Sequence, residues 1–169
     1  LLYWIEQKKR SRISEIDIIE KLAEFRKKNT NYFGPSFDTI CGSGPNGAII
    51  HYRANTKTNR IIKSGDLVLI YSGGQYLEGT TDITRTIGFG KVNYLKRKQS
   101  TLVLKGMIAV SKLKWPLGLT GKDLDSIPRN HLLQENLDYE HGTGDVVVSY
   151  LTVHEGPQGI SKRNEVELK

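Results

Sequence analysis

Two β-strand patterns separated by a pair of glycines constrain the fold of this chain more than any other feature. The segment 67–71 alternates residue by residue between two faces, and so does the segment 82–87. Such alternation predicts two strands with distinct faces. Gly73 and Gly74 relax the backbone after the first strand, which favours a reversal of chain direction. The sequence therefore predicts an antiparallel hairpin.

The predicted pairing of this hairpin brings Tyr71 and Asp82 together. A turn centred near Tyr76 and Leu77 places residue 71 opposite residue 82, and Cα atoms of opposed residues lie about 4.5–5.5 Å apart. Two carboxylates at such positions could bridge two divalent cations about 3.5–4 Å apart, as two-metal hydrolases require. This chain has a tyrosine and an aspartate there, so the hairpin looks like a metal site with one ligand missing.

Four longer motifs carry a resemblance to a known family. They are Phe37–Arg53 (F-D-T-I-C-G-S-G-P-N-G-A-I-I-H-Y-R), Gly79–Thr86 (G-T-T-D-I-T-R-T), Leu137–Thr143 (L-D-Y-E-H-G-T) and Val153–Pro157 (V-H-E-G-P). In this order and spacing they resemble the Xaa-Pro aminopeptidases (aminopeptidase P) of the creatinase and methionine aminopeptidase superfamily. The resemblance spans nearly the whole chain, which looks like a truncated and degenerate copy of such an enzyme.

Helices alternate with antiparallel hairpins along the chain, which indicates an α+β domain. The resemblance sharpens this expectation to a partial pita-bread fold of the creatinase/aminopeptidase type. It also implies that residues 1–169 form part of a C-terminal catalytic domain, with the upstream domains and the end of the catalytic domain absent from the chain.

The resemblance implies a site for two divalent metal ions, commonly manganese, held by two aspartates, one histidine and two glutamates. The first aspartate falls on Tyr71, whose neutral phenol is a poor ligand for a hard cation. The second is retained as Asp82. The histidine falls on Asp145, which can ligate manganese but is shorter than imidazole. The glutamates fall beyond Lys169, so we expect metal ions to bind weakly or not at all.

Three histidines match the catalytic positions of this family: His51, His141 and His154. In intact enzymes the resemblance implies that the metals activate a bridging water for attack on the Xaa-Pro carbonyl. The histidines orient the substrate and stabilise or shuttle charge. His131 matches no motif, and we expect it on a helix surface. Val146 and Val148 stand where the family keeps glycines, so strain is expected there.

Two helices are predicted in the first two thirds of the chain. Ser14, followed three residues later by Asp17, caps a helix over 14–28. A second helix is predicted over 93–113. The candidates for its buried side are Leu95, Leu102, Leu104, Ile108 and Val110.

A third helix is predicted to begin near Asp123, capped by Thr120 or by Asp123 itself, and to run toward Leu137. Pro128 lies beyond its first turn, where a proline costs about 3 kcal/mol. The apolar run 48–50 is predicted to be a strand that ends at His51, and 145–153 a β-branched strand. Cys41 is the single cysteine, and small-residue packing is its expected role.

Charge and hydropathy limit the partners. The net charge of +7 is dispersed in short basic runs, which favours solvated faces and makes nucleic acid an unfavoured partner. No segment approaches the roughly 18 apolar residues of a membrane span, and no signal-peptide pattern appears in the sequence. We therefore expect a cytoplasmic protein without membrane contact.

The resemblance implies one function, and the residues leave an alternative open. The implied activity is metal-dependent hydrolysis of the N-terminal Xaa-Pro bond, with peptides that carry proline at the second position as substrates and a homodimer as an open alternative to a monomer. Because metal ligands are lost, we expect no turnover from the chain as written. The alternative is a non-catalytic pita-bread module that binds an acidic partner or RNA, with which the basic charge is compatible.

Overall fold

The computed structural model describes residues 1–8, 11–149 and 153–168. The chain divides into two units, one formed by Leu1–Asn93 with Val148–Val153 and the other by Tyr94–Val147 with His154–Lys169. Each unit has its own helices and its own antiparallel sheet structure, which confirms the predicted α+β class.

The described residues of the first unit form two α-helices and two three-stranded antiparallel sheets. The helices are α1 (Leu2–Gln7) and α2 (Glu15–Lys27), and the strands are β1 (Tyr32–Pro35), β2 (Ile40–Ser43), β3 (Leu67–Ser72), β4 (Gly74–Tyr76), β5 (Gly79–Thr80) and β6 (Ile83–Gly88). One sheet has the order β1-β4-β5 and the other β2-β3-β6. The pairing of β3 with β6 confirms the antiparallel hairpin expected from the alternation.

Helix α2 begins where its cap predicts. The Ser14 hydroxyl accepts from the Asp17 backbone N–H, and the Asp17 carboxylate accepts from the Ser14 N–H at 2.7 Å. This reciprocal pair satisfies two backbone donors that a helix start otherwise leaves open. The predicted helix over 14–28 is confirmed.

The core of the first unit joins α1 and α2 to the β2-β3-β6 sheet. Its buried members are Ile5, Ile13, Ile18, Cys41, Ile62, Val68, Ile70 and Phe89. Cys41 is fully buried, which confirms its expected packing role. Burial, with a smaller contribution from Glu15, raises the pKa of the Cys41 thiol to about 12. The thiol therefore stays protonated and has little nucleophilic character.

The predicted strand at 48–50 is wrong. Gly44–Ala48 is a 3-10 helix with proline in its first turn, and Ile49 and Ile50 are exposed. Strand β2 ends at Ser43 because the backbone folds back directly behind it. A Cβ at Gly42 would lie 2.8 Å from the Asn46 carbonyl oxygen. A short apolar run does not by itself distinguish a buried strand from an exposed turn.

The second unit contains α3 (Tyr94–Ser111), α4 (Gly121–Leu133), β7 (Gly144–Val147) and β8 (His154–Ile160), the strands forming an antiparallel hairpin. Helix α4 has the predicted Thr120 cap, paired with Asp123. It ends before Leu137 because Asn136 adopts a left-handed φ of 55°, a conformation that commonly terminates helices. The predicted strand over 145–153 is confirmed as far as Val147 and is wrong at residues 148, 149 and 153, which lie outside the strands. Residues 150–152 lie outside the described part of the chain.

The α3–α4 contact is set by a glycine. A Cβ at Gly106 would lie 2.2 Å from the Pro128 carbonyl oxygen, so only glycine allows this approach. The buried residues of α3 are Leu102 and Gly106. The prediction is wrong for Leu95, Leu104 and Ile108, which are exposed, whereas Val110 is half-buried. The close approach of the two helix backbones at Gly106 therefore determines which face of α3 is buried. The number of leucines on a face does not determine it.

Pro128 lies inside α4 and is buried. Its ring nitrogen has no proton, so the carbonyl four residues earlier loses its helical donor. Replacing Pro128 by alanine is expected to raise the free energy of unfolding by about 1–3 kcal/mol, net of the entropy that proline removes from the unfolded chain. Urea unfolding measures this change. The exposed loop residue Pro116 is the matched control: Pro116→Ala should leave stability nearly unchanged, and an equal gain from both variants contradicts the prediction.

Within the described residues, no helix combines the length and the apolar character needed to cross a bilayer.

Candidate active site

Tyr71 and Asp82 meet on the hairpin, although the predicted register is wrong. Tyr71 lies opposite Thr84, not opposite Asp82. The turn consists of residues 77–78, one residue later than predicted. Moving a turn centre by one residue shifts every cross-strand partner by two, which preserves the face of each side chain. Asp82 is thus a diagonal neighbour of Tyr71, within reach of a long aromatic side chain, and the Tyr71 hydroxyl donates to Asp82 Oδ2 at 2.9 Å.

The packing around Tyr71 fixes this arrangement. Its ring lies 4.4 Å from the Phe37 ring, centroid to centroid. Arg26 reaches from α2 to the corner that follows β3, where it donates to the Gly73 carbonyl at 2.5 Å and to the Ser72 hydroxyl at 3.0 Å. A Cβ at Gly73 would lie 2.0 Å from two neighbouring oxygens, so no side chain fits there. Close packing at Gly73 and the Arg26 hydrogen bonds therefore fix the backbone next to Tyr71, whose phenol reaches Asp82.

His51 lies on an exposed turn with a φ of 54°, in the left-handed region that is uncommon for residues other than glycine. The segment that carries it, 43–60, is tied to the start of α2 by one fully buried carboxylate, that of Glu15. The groups that donate to Glu15 are the Ser43 N–H (2.7 Å), the Tyr52 hydroxyl (2.9 Å), the Arg60 N–H (3.0 Å) and the Asn46 amide (3.1 Å). Glu15 also lies in the first turn of α2, where the helix dipole favours negative charge.

In the second unit, the loop that carries His141 closes around one arginine. Arg129 projects from α4 and forms an ion pair with Asp125, in which both side chains are only 3% exposed. The guanidinium uses all five of its N–H donors. It contacts Asp125 through Nε (2.6 Å) and Nη2 (3.3 Å), Asp138 (2.8 Å) and the Tyr139 carbonyl (2.5 Å) through Nη1, and the His141 carbonyl through Nη2 (2.7 Å).

A second set of bonds closes the same loop. The Thr143 hydroxyl donates to Asp125 Oδ1 at 2.7 Å, so its oxygen accepts the Tyr139 hydroxyl proton at 2.6 Å. Lys162 donates to Asp138 at 2.5 Å. The Lys162 hydrogen bond first, then the Tyr139 N–H and Arg129, hold the pKa of the Asp138 carboxyl far below its ordinary range. Four charged groups and two hydroxyls thus stabilise one short loop.

The remaining predicted residues lie on the β7–β8 hairpin. Asp145 is exposed and pairs with Gly159, while His154 is exposed and pairs with Val147.

The prediction of backbone strain at Val146 and Val148 is wrong. Both residues are described by the structure, and neither has a positive φ. Val146 belongs to an extended strand, which β-branched residues favour. His131 lies in the last turn of α4 and is half-buried.

A shallow pocket of about 220 Å³ adjoins the His141 loop. It is lined by Arg129, Tyr139, Glu140, His141, Gly142, Ser161, Lys162 and Arg163. Within each unit, the described residues contain no group of three His, Cys, Asp or Glu side chains close enough together to hold a metal ion.

Sequence reasoning missed the two buried charges that organise the histidine-bearing segments, Glu15 and Arg129. A signal existed for Arg129: it lies on the buried stripe of α4, whose members are Gly121, Leu124, Asp125, Pro128, Arg129 and Leu132. Opposite charges four residues apart within such a stripe indicate a buried ion pair. Glu15 gave no comparable signal, because its partners come from distant segments of the chain.

Comparisons with known proteins agree with the motifs. The model of metallopeptidase family M24 matches residues 1–169. The chain is 50% identical over 163 residues to the "Probable Xaa-Pro aminopeptidase P" of Paracoccidioides brasiliensis (strain Pb03), covering 95% of this chain and 26% of that protein. It is 48% identical over 163 residues to the protein of the same name from Aspergillus fumigatus, covering 25% of it. The chain thus spans about a quarter of the length of these curated relatives.

Solved structures agree as well. The X-prolyl aminopeptidase from Caenorhabditis elegans, a cytosolic enzyme with a di-nuclear active site, aligns with a TM-score of 0.91 and 39% identity, over 99% of this chain and 28% of that one. The X-Pro aminopeptidase from Thermotoga maritima aligns with a TM-score of 0.80 and 30% identity, over 99% of this chain and 46% of that one. These neighbours confirm the partial pita-bread fold.

Proposed function

The chain belongs to metallopeptidase family M24, and from this we propose that residues 1–169 form part of the C-terminal catalytic domain of an Xaa-Pro aminopeptidase-like protein whose two-metal site is disabled. The ancestral reaction in this proposal is hydrolysis of the bond between an N-terminal residue and a following proline. Its substrates are peptides with proline at the second position, and its setting is the cytoplasm, as for the C. elegans neighbour.

One observation carries the proposal: the Tyr71 hydroxyl donates to Asp82 at 2.9 Å. A phenol at this position supplies a proton to the retained carboxylate instead of a second negative charge. Two hard divalent cations need several anionic oxygens around them. The residues of this hairpin therefore do not fit a dinuclear site, and we derive no reaction step through metal ions.

The second unit supports the same proposal. Asp145, which stands where the resemblance implies a metal-binding histidine, is exposed on β7 opposite a glycine. We propose His51, His141 and His154 as retained members of the former substrate-binding shell. Their role in that shell would be hydrogen bonding to a peptide, and without activated water such binding does not lead to cleavage.

Metal content and peptidase activity test the proposal. The purified chain is expected to retain no stoichiometric manganese, cobalt or zinc after dialysis and to release no N-terminal residue from an Xaa-Pro peptide. In the variant Tyr71→Asp, combined with Asp145→His, manganese affinity should rise by about tenfold or more because two ligand types are restored. Calorimetry measures the affinity, and chromatography of the peptide measures cleavage.

The control is Tyr76→Asp, which adds the same charge to the same hairpin at a position that the family does not use as a ligand. It should not raise manganese affinity. Stoichiometric manganese in the unmodified chain, together with cleavage that disappears in Asp82→Ala, would show that the site is intact and that the proposal is wrong.

The non-catalytic binding module remains the alternative, and one observation favours it. Helix α3 carries Lys96, Arg97, Lys98 and Lys105 and has no acidic residue. A filter-binding titration with RNA across a salt series distinguishes an RNA-binding module from a disabled peptidase domain, because binding through phosphate contacts weakens steeply as the salt concentration rises. No signal at low salt removes the RNA form of this alternative.

A further inference from the structure

The loop Asp138–Thr143 is held from inside by the guanidinium of Arg129. Two of its backbone carbonyls, those of Tyr139 and His141, accept from the two terminal nitrogens of Arg129 at 2.5 and 2.7 Å. The guanidinium carbon also lies 3.7 Å from the centre of the Tyr139 ring, within the range of a cation–π contact. The arginine thus contacts the loop through backbone, carboxylate and ring at once.

Arg129 is itself fixed on the opposite side. Asp125, four residues earlier on α4, accepts from two of its nitrogens and is equally buried. The same carboxylate accepts from Thr143, at the far end of the loop. Because a planar guanidinium presents its donors in a rigid fork, these contacts determine the position of the loop backbone and not only its charge balance.

The orientation of the His141 ring follows from this backbone. His141 Nδ1 lies 2.7 Å from the carbonyl oxygen of Gly142. A carbonyl oxygen can only accept, so this bond requires the proton on Nδ1 and selects one neutral tautomer. The bond depends on the direction of the Gly142 carbonyl, which belongs to the segment that Arg129 holds through the adjacent His141 carbonyl.

We propose that Arg129 is a positioning residue: by binding the carbonyls of Tyr139 and His141 it fixes the tautomer and orientation of the His141 imidazole without help from a metal ion. The functional meaning of a fixed His141 rests on the proposed function, in which this histidine belongs to the former substrate-binding shell. The contacts from which the positioning is argued all lie within the second unit.

The tautomer of His141 distinguishes a positioning role of Arg129 from a purely structural one. An arginine that only stabilised the fold would not affect this tautomer. The protein contains four histidines, and long-range proton–nitrogen spectra of ¹⁵N-labelled chain report the tautomer of each imidazole. We expect His141 to be predominantly protonated on Nδ1. In Arg129→Lys a positive charge remains beside Asp125, but the five-donor fork is lost. The Nδ1-protonated fraction of His141 should then fall, while the other three histidines serve as internal references.

A second measurement follows the loop backbone. The Thr143 N–H donates to the Ile160 carbonyl at 2.7 Å. In Arg129→Lys its exchange with solvent should accelerate by about tenfold or more, because opening of the loop exposes it. Lys98→Met is the matched control, since it removes an exposed ion pair with Glu135 in the same unit and should change neither measurement.

Thr143→Val keeps the experiment decisive if Arg129→Lys does not fold. It removes the hydroxyl that links Asp125 to Tyr139 without touching a buried charge. It should shift the His141 tautomer in the same direction by a smaller amount. A folded Arg129→Lys with an unchanged His141 tautomer overturns the proposal, and so does an unchanged tautomer in Thr143→Val when Arg129→Lys is unfolded.

The two proposals fail separately. Metal binding and peptide cleavage by the unmodified chain would overturn the disabled metal site and leave the His141 measurement intact. An unchanged tautomer would overturn the positioning role and leave the metal assay intact.

Discussion

Replacing Arg129 by methionine is expected to lower the free energy of unfolding by about 3–5 kcal/mol, which is the usual cost of leaving one partner of a buried ion pair alone. Asp125, 3% exposed, would lose its charged partner and keep only Thr143 as a neutral donor. The carbonyls of Tyr139 and His141 would also lose their donors. Urea unfolding followed by circular dichroism measures the change.

The double variant Asp125→Leu with Arg129→Met separates charge from packing. It removes both charges and fills the space with apolar groups, so it should cost less than about 2 kcal/mol, since buried ion pairs are often replaceable by hydrophobic residues. A double variant that is as unstable as the single one would show that the carbonyl contacts, not the unpaired carboxylate, dominate the loss.

Replacing Glu15 by alanine is expected to destabilise the first unit by about 3–5 kcal/mol, because each buried donor left without an acceptor costs roughly 1–3 kcal/mol. The donors in question are the backbone N–H groups of Ser43 and Arg60. The Tyr52 hydroxyl keeps an acceptor, because the Thr58 carbonyl lies 3.0 Å from it. Ser43 is fully buried, so water cannot readily take the place of the carboxylate.

Hydrogen exchange locates this effect. In Glu15→Ala the amide protons of Ser43 and Arg60 should lose protection before the rest of the sheet does. Glu24→Ala on the same helix is the control, since Glu24 pairs with Lys21 and Lys28 at the surface and its removal should leave stability nearly unchanged. Equal losses from the two variants would contradict an anchoring role for Glu15.

The helices with local signals were predictable and the hairpin register was not. Ser14 and Thr120 each lie three residues before an aspartate, and that pattern alone determines where α2 and α4 begin. The register depends on which residues occupy the turn, and a displacement of one residue in the turn centre moves each partner by two. Gly73 and Gly74 suggested an earlier reversal, but their role is close packing at a crowded corner.

The candidate site was predictable where motifs named its residues. Tyr71 and Asp82 were expected to meet, and they do so because a shift of two residues keeps both on one face. Glu15 and Arg129 could not be found from composition, because charged residues on helices are usually solvated. Their burial is decided by segments that return from far along the chain, such as Arg60 to Glu15 and His141 to Arg129.

An arginine at the centre of the His141 loop makes that loop resistant to changes in acidity. Burial alone lowers the pKa of Arg129, but the hydrogen bonds that its guanidinium donates to Asp125 and Asp138 outweigh burial and raise the pKa above its ordinary value. A raised folded-state pKa contributes stability at every pH below that ordinary value, and the contribution is lost only as pH rises past the raised one. The lowered pKa of Asp138 contributes stability above its ordinary value of 3.8, and this is lost only as pH falls below it. Between these limits both charges persist, so the hydrogen bonds that hold the loop backbone are kept across the acidities at which most proteins work.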